Sequence, residues 1–310
     1  MNLINKNLKT PKVSIFCMVY NHEPFIRECL EGFLMQKCNF DYEIVLGEDC
    51  STDNSREIIL EYANKFPEKF KLILHDKNVG AAQNQKIVFE NCTGKYVAMC
   101  EGDDYWTDPL KLQKQVDFLE KNDEYVLSFT KSKEFFENGN NITETIYPNN
   151  INNLNFPELL KMSWFIRTAT ILFRKDKLDL DFIEKIKYGA DFFIQLLLIN
   201  NSKFHFLNEF TSVYRHHAGG ISNSNSLVYL ERRIQFIENL KMLDKYLDYA
   251  FEKAIIKEIK RVKIGIFHFA ILNRHFEFFR FIKYYEVFPL IFHLIKRFYT
   301  KTIRIFLVFE

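Results

Sequence analysis

Three short segments carry residue types that do chemistry. The most concentrated is Cys100-Glu101-Gly102-Asp103-Asp104-Tyr105-Trp106, where an apolar run ends in three carboxylates within four positions. Carboxylates this close repel and raise one another's pKa, so they need a cation or shared protons. Hard divalent cations with oxygen ligands, Mn2+ or Mg2+, meet that need and commonly bridge carboxylates to substrate phosphates. The plainer alternative is a solvated acidic turn that caps the helix expected at Asp108. The second segment is Glu48-Asp49-Cys50-Ser51-Thr52-Asp53. Ser51 or Asp53 can cap a helix there. Asp49 is not needed for capping and could accept hydrogen bonds from a base or sugar. The third is Tyr214-Arg215-His216-His217-Ala218-Gly219-Gly220, whose paired imidazoles and Gly pair suit contact with a ligand or phosphate.

The elements that must position these residues are legible in the hydrophobic pattern. Val13–Val19 is a continuous apolar run, as expected of a strand covered on both faces. Pro24 suits a first helical position, and Phe25, Ile26, Cys29, Leu30, Phe33 and Leu34 follow at helical spacing. Strands are expected at Tyr42–Leu46, Lys71–His75, Tyr96–Cys100 and Tyr125–Thr130. Helices are expected after Ser51 or Asp53, over Gly80–Asn91 and from Asp108 to about Lys121. Such alternation implies a mostly parallel sheet with right-handed crossovers. Ligands bind such sheets beyond the carboxyl ends of the strands, which is where Tyr20-Asn21-His22-Glu23 and the first two segments fall. Residues 131–170 are Asn-rich with no clean period and read as surface loops and short strands. Asp191–Asn200 reads as a helix, Phe204–Tyr214 as a strand, and the chain from Leu227 as helical nearly to its end.

Taken together, VSIFCMVYNHE, EIVLGEDCSTDNS, NVGAAQNQ, GKYVAMCEGDDYW and YRHHAGG resemble family 2 glycosyltransferases. These are inverting, nucleotide-sugar-dependent enzymes, and the resemblance covers roughly residues 11–220. It implies an α/β fold of the GT-A type, a mostly parallel sheet flanked by helices, with a C-terminal helical extension. The catalytic domain would be residues 1–226 and the basic, aromatic extension 227–310. By this resemblance Tyr20, Glu23 and Asp49 line the nucleotide pocket, with Asp49 on the base, and Asn84 matches an Asn of the family's helix motif. Asp103 and Asp104 match the aspartates that contact the ribose and the diphosphate-bound metal. His217 is a further metal or phosphate ligand, beside Arg215. Glu101 stands where many relatives carry Asp. Asp191, at the start of a helix, matches the catalytic base. The implied cofactor is Mn2+ or Mg2+. The implied partners are a nucleotide-sugar donor, UDP-linked by default, and a glycan or lipid-linked acceptor in cell-surface polysaccharide biosynthesis. A non-catalytic nucleotide-sugar-binding module of the same fold is the alternative.

Composition bounds these readings. The chain has 310 residues and is 47% hydrophobic, enough for a sizeable core and against disorder; ten Gly and seven Pro exclude collagen-like sequence. The six cysteines, none beyond residue 100 and none in a CxxC pair, read as reduced core thiols. The net charge of +2 hides an asymmetry. Lys257–Arg304 carries eleven Lys and Arg against three Glu, interleaved with aromatics, on an otherwise acidic body. That stretch suits an interfacial helix on anionic lipid, a cap packed on the catalytic domain, or a homo-oligomer interface, rather than nucleic acid. Val287–Ile295 is too short to span a bilayer, and no signal peptide is evident. The expected location is the cytoplasm or the inner face of the cell membrane.

Overall fold

The run VSIFCMV forms strand β2 (Val13–Val19), almost wholly buried because it lies at the centre of the sheet. It pairs in parallel with β3 (Tyr42–Glu48) and with β5 (Tyr96–Met99), and β3 pairs in parallel with β4 (Phe70–Leu74). A strand with partners on both edges and helices on both faces favours apolar side chains throughout; the one exception, Ser14, is buried and donates to Glu43 of β3 (2.5 Å). Val13, Ile15, Cys17 and Val19 pack with apolar residues of three helices, α1 (Ile26–Leu34), α2 (Ser55–Lys65) and α4 (Lys111–Lys121). On the opposite face Phe16 meets Phe89 of α3 (Ala81–Asn91), ring centroids 4.3 Å apart. Each such fully buried side chain contributes about 1.5–3 kcal/mol.

The structure, a computed structural model, describes residues 2–5, 10–149, 151, 154–162, 164–200, 202–220 and 226–272. Beyond β5 the pairing changes sense. The strand β9 (Leu172–Arg174) is antiparallel to both β5 and β7 (Tyr125–Phe136), while β10 (Lys203–His216) is parallel to β7. The short β6 (Tyr105–Trp106) closes the far edge against β10, and β1 (Asn2–Asn5) closes the near edge against β4, both antiparallel. The order is β1-β4-β3-β2-β5-β9-β7-β10-β6. The parallel part therefore comprises β4-β3-β2-β5 and β7-β10, with antiparallel strands joining and closing them.

The pattern within 131–170 is more regular than the Asn-rich sequence suggests. The strand β7 runs on to Phe136, and Asn140, with φ 44°, turns the chain into β8 (Asn141–Glu144), antiparallel to β7. Asn tolerates that left-handed backbone better than most residues. A short helix α5 (Phe156–Met162) follows, then α6 (Leu180–Ile183) and α7 (Ala190–Ile199). All six cysteines are free.

The chain divides into two compact units, Met1–Asn223 and Ser224–Glu310. The described part of the second unit consists of two 21-residue helices, α8 (Ser226–Tyr246) and α9 (Glu252–Leu272). No helix among the described residues is long and apolar enough to cross a membrane. Most of the basic, aromatic stretch, from residue 273 onward, lies outside the described residues.

Candidate active site

The loops after β2, β3 and β5 and the end of β10 converge on one cavity of about 600 Å3 in the first unit. That volume is ordinary for a small-molecule site. The cavity lining includes Tyr20, Asp49, Asn78, Gly80 and Asn84, and also Trp164, Arg167, Thr168, Tyr188 and Asp191. Glu101, Asp103, His22 and His217 also line it.

Tyr20 is 43% exposed at the rim, an aromatic face available to a planar ring. Asp49 is buried, and its two carboxylate oxygens accept the backbone N–H groups of Val79 (2.7 Å) and Gly80 (3.0 Å). It thereby ties the loop before α3 to the end of β3. Each oxygen keeps a lone pair, so the carboxylate can still accept from a ligand. Asn84 is engaged within the protein: its amide nitrogen donates to the Gly47 carbonyl (3.0 Å) and its oxygen lies 3.1 Å from His75 Nε2. Glu23 lies outside the cavity lining. Its carboxylate accepts from the backbone N–H (3.1 Å) and the side-chain amide (2.6 Å) of Asn54, at the start of α2. The nucleotide-contact expectation for Glu23 thus meets a carboxylate occupied in holding a helix end.

The acidic segment separates its carboxylates. Asp103 faces the cavity, its Oδ2 3.1 Å from His217 Nε2 and 3.8 Å from His22 Nε2. Burial pushes this carboxyl up, but the His217 bond and the nearby His22 hold it below the usual range. Asp104 does not line the cavity. Its Oδ1 accepts the backbone N–H of Arg215 (2.9 Å), and its buried Oδ2 has no partner among the described residues. Burial, then the charge of Asp103, raises the Asp104 carboxyl well above its usual value. Of the two adjacent aspartates expected to serve the diphosphate and its metal, Asp103 lines the cavity and Asp104 is engaged with the Arg215 backbone through one oxygen. Arg215 clamps the turn, donating to the Asp103 carbonyl (2.6 Å) and pairing with Glu28.

No group of three His, Cys, Asp or Glu side chains among the described residues is arranged to hold a metal ion. The Asp103–His217 pair still fits a divalent cation. It supplies one hard oxygen and one imidazole nitrogen at a cavity wall, leaving the remaining positions for water and substrate phosphate oxygens, as Mg2+ and Mn2+ sites commonly do.

Glu101 also faces the cavity, where burial, then the charges of Asp103 and Asp191, push its carboxyl up to about 8. The unfolded chain ionises this group near 4.5, so between about pH 4.5 and 8 the unfolded state is the less protonated one and stability falls as pH rises. Glu101→Gln is therefore expected to be more thermostable than the parent at pH 8, with the difference vanishing near pH 4.5. Thermal unfolding of both proteins across that range checks it.

Asp191, also on the cavity wall, sits in the first turn of α7, where a carboxylate is favoured by the helix N-terminus. Burial raises its pKa, offset in part by polar groups of Phe192, Trp164 and Thr168 nearby. A carboxylate whose pKa is raised by burial is a stronger base than a free one, which suits it to take a proton. The helix starts after Gly189, whose φ of +74° favours glycine. Sequence reasoning places His22 among the residues after β2 without giving it a role, and does not point to Trp164. His22 follows a strand within YNHE, which is a signal. Trp164 lies in the aperiodic stretch and carries none.

Known proteins with related sequences and folds bear on this arrangement. The sequence profile of glycosyl transferase family 2 matches residues 14–180. An uncharacterized protein of Mycobacterium tuberculosis is 36% identical over 221 residues, 71% of this chain; those residues span 62% of the mycobacterial protein. EpsE of Bacillus subtilis, which carries a glycosyltransferase assignment, is 36% identical over 129 residues, 42% of this chain and 46% of its own. Among solved structures, Staphylococcus aureus TarS 1–349 in complex with UDP-GlcNAc superposes with a TM-score of 0.59 at 20% identity, covering 89% of this chain and 77% of that one. The mannosyltransferase PcManGT of Pyrobaculum calidifontis, in complex with GDP-Man and Mn2+, has a TM-score of 0.50 at 12% identity, covering 85% and 76%. At such identities the structural likeness speaks for the fold alone.

Proposed function

Since the chain belongs to glycosyl transferase family 2, we propose that it transfers a sugar from a nucleoside diphosphate sugar to an acceptor hydroxyl with inversion at the anomeric carbon. The observation that carries this reading is the cavity itself. It sets an Asp103–His217 pair and a high-pKa Asp191 on the walls of one space large enough for donor and acceptor.

In this reading Tyr20 and Asp49 receive the base, and Asp103 and His217 lie at the diphosphate. A divalent cation bound there, Mn2+ or Mg2+, would offset the charge that develops on the leaving group. Asp191 accepts the proton of the acceptor hydroxyl as that oxygen attacks the anomeric carbon. The C–O bond to the diphosphate breaks as the new glycosidic bond forms, and inversion follows from a single displacement. Asp104 and Arg215 hold the turn that aims Asp103. Glu23 and Asn84 fix the loops on the nucleotide side.

A UDP-linked donor is favoured by the likeness to TarS with UDP-GlcNAc, and Mn2+ by that to PcManGT with GDP-Man. The relative TuaG of Bacillus subtilis is assigned to teichuronic acid biosynthesis, which favours a glycan or lipid-linked acceptor in cell-surface polysaccharide synthesis. The basic, aromatic stretch from Lys257 suits work at the inner face of the cell membrane. Residues 1–226 would be the catalytic domain and 227–310 its extension. The experiment is a thermal-shift screen of UDP-, GDP-, CDP- and dTDP-sugars with and without Mn2+. Ligand at 100 times its Kd stabilises by about 2.7 kcal/mol. A metal-dependent rise with one nucleotide class is expected; no rise with any of them overturns the reading.

A further inference from the structure

We propose that Arg167 is a specificity-determining residue for the acceptor: the open edge of its guanidinium takes an anionic group, a phosphate or a carboxylate, so the acceptor is an acid. The inference rests on the transferase reading and narrows its acceptor class. Arg167 and Lys187 both line the cavity that Asp191 lines. The guanidinium is built into place there. Its Nε and Nη2 donate to one oxygen of Glu134, at 3.2 and 2.6 Å. The same oxygen accepts from Thr145 Oγ1 (2.9 Å), and the other lies 2.8 Å from His216 Nε2. Burial pushes the Glu134 carboxyl up, but the bonds from Arg167 and His216 hold it below the usual range, so it is ionised near neutral pH. The guanidinium also lies over the Tyr214 ring, 4.6 Å from its centroid. Pairing along one edge and stacking on a ring together fix its plane.

The chemistry follows from what this pairing leaves open. A guanidinium has five N–H donors, and Glu134 takes two of them, through Nε and Nη2. The fork formed by Nη1 and the outer N–H of Nη2 has no acceptor among the described residues, where Glu134 is the sole ion-pair partner of Arg167. The side chain stays 22% exposed on the cavity wall, so the fork is not sealed off. Two parallel N–H groups of this kind match two oxygens of a carboxylate or a phosphate. Lys187, exposed and lining the same cavity, adds a second positive charge.

The donor diphosphate has a separate set of residues. In the register of β10 with β7, Tyr214 is paired with Glu134 and His216 with Phe136, so these four share one face of the sheet. The His216 ring accordingly stacks on Phe136, centroids 4.2 Å apart. This is the face that holds Arg167. Arg215, one position along β10 and on the opposite face, bonds the Asp103 carbonyl, and His217, past the strand end, bonds the Asp103 carboxylate. One strand thus supplies alternate side chains to two anion-directed groups, of which only the second is engaged by the diphosphate in the transferase reading.

The test is calorimetric titration of the full chain in saturating UDP and Mn2+, which fill the donor region. Glucuronic acid is compared with glucose, and hexyl phosphate with hexanol. At least one acid is expected to bind about 10-fold more tightly than its neutral counterpart, the worth of a charge-assisted hydrogen bond. A preference for glucuronic acid identifies the carboxylate of an acidic sugar as the source of the anion; a preference for hexyl phosphate identifies the phosphate of a lipid carrier. Arg167→Gln is expected to remove the preference, and Arg167→Lys, which keeps the charge without the fork, to reduce it. No preference in the parent, or one that both variants leave intact, overturns the proposal. So does a loss of UDP affinity in Arg167→Gln as large as the loss for the acid, since Arg167 would then serve the diphosphate. Where a melting curve shows that Arg167→Gln does not fold, Arg167→Lys carries the same comparison. UDP that does not bind the parent in Mn2+ overturns the transferase reading instead, and the acid preference is then measured on the protein alone.

Discussion

Asp191→Asn is expected to lower sugar transfer by at least about 10^3-fold while donor affinity changes less than about 3-fold. General-base assistance is worth about 10^2–10^4. The amide is nearly isosteric and has no basic site for the acceptor proton. An asparagine of the same size leaves the cavity its shape, and Tyr20 and Asp49 on the nucleotide side are unchanged. The same substitution removes a buried acid whose pKa is raised by burial, so the variant is expected to be as stable as the parent or more so at pH 7. Titration calorimetry with the nucleoside diphosphate, a single-turnover assay and a melting curve separate these outcomes. Transfer near the parental rate would exclude Asp191 as the base.

The second large effect is expected at the Asp103–His217 pair. Asp103→Ala should abolish the metal dependence of nucleotide binding and weaken affinity in Mn2+ by about 10^2-fold, or about 2.7 kcal/mol. His217→Ala should do the same to a smaller extent, because a carboxylate offsets the charge of a divalent cation and an imidazole does not. Asp104→Asn is the informative contrast. Its Oδ1 accepts from the Arg215 N–H and its side chain does not reach the cavity lining. That variant should retain metal-dependent binding. Loss of binding in Asp104→Asn with retention in Asp103→Ala would reverse the two assignments. Calorimetric titrations of each variant with and without Mn2+ distinguish the cases.

That contrast marks where reading along the chain stops. Apolar runs ending in Asp or His show that chemistry sits beyond the strand ends, because a buried parallel strand leaves only its carboxyl-end loop free to be polar. So the loops after β2, β3 and β5, the end of β10 and Asp191 at a helix start were all visible as candidates. The pairing of β9 antiparallel between β5 and β7 was not, since three residues carry too little pattern to specify an edge. Nor was the extension of β7 through Phe136, because Lys131–Phe136 mixes charged, polar and aromatic residues without a clean alternation.

Amino-acid order alone was enough to establish which segments gather at the rim of the sheet, since burial of strand interiors depends on local composition. Which of two adjacent acids faces the cavity depended on long-range bonds. The Arg215 N–H, 111 positions away in the chain, takes Asp104 out of the cavity, and His217 keeps Asp103 in it. The work of Glu23 in holding Asn54 belongs to the same class. A hydrogen bond is set by distance and direction in space, and neither is encoded in spacing along a chain that must first fold.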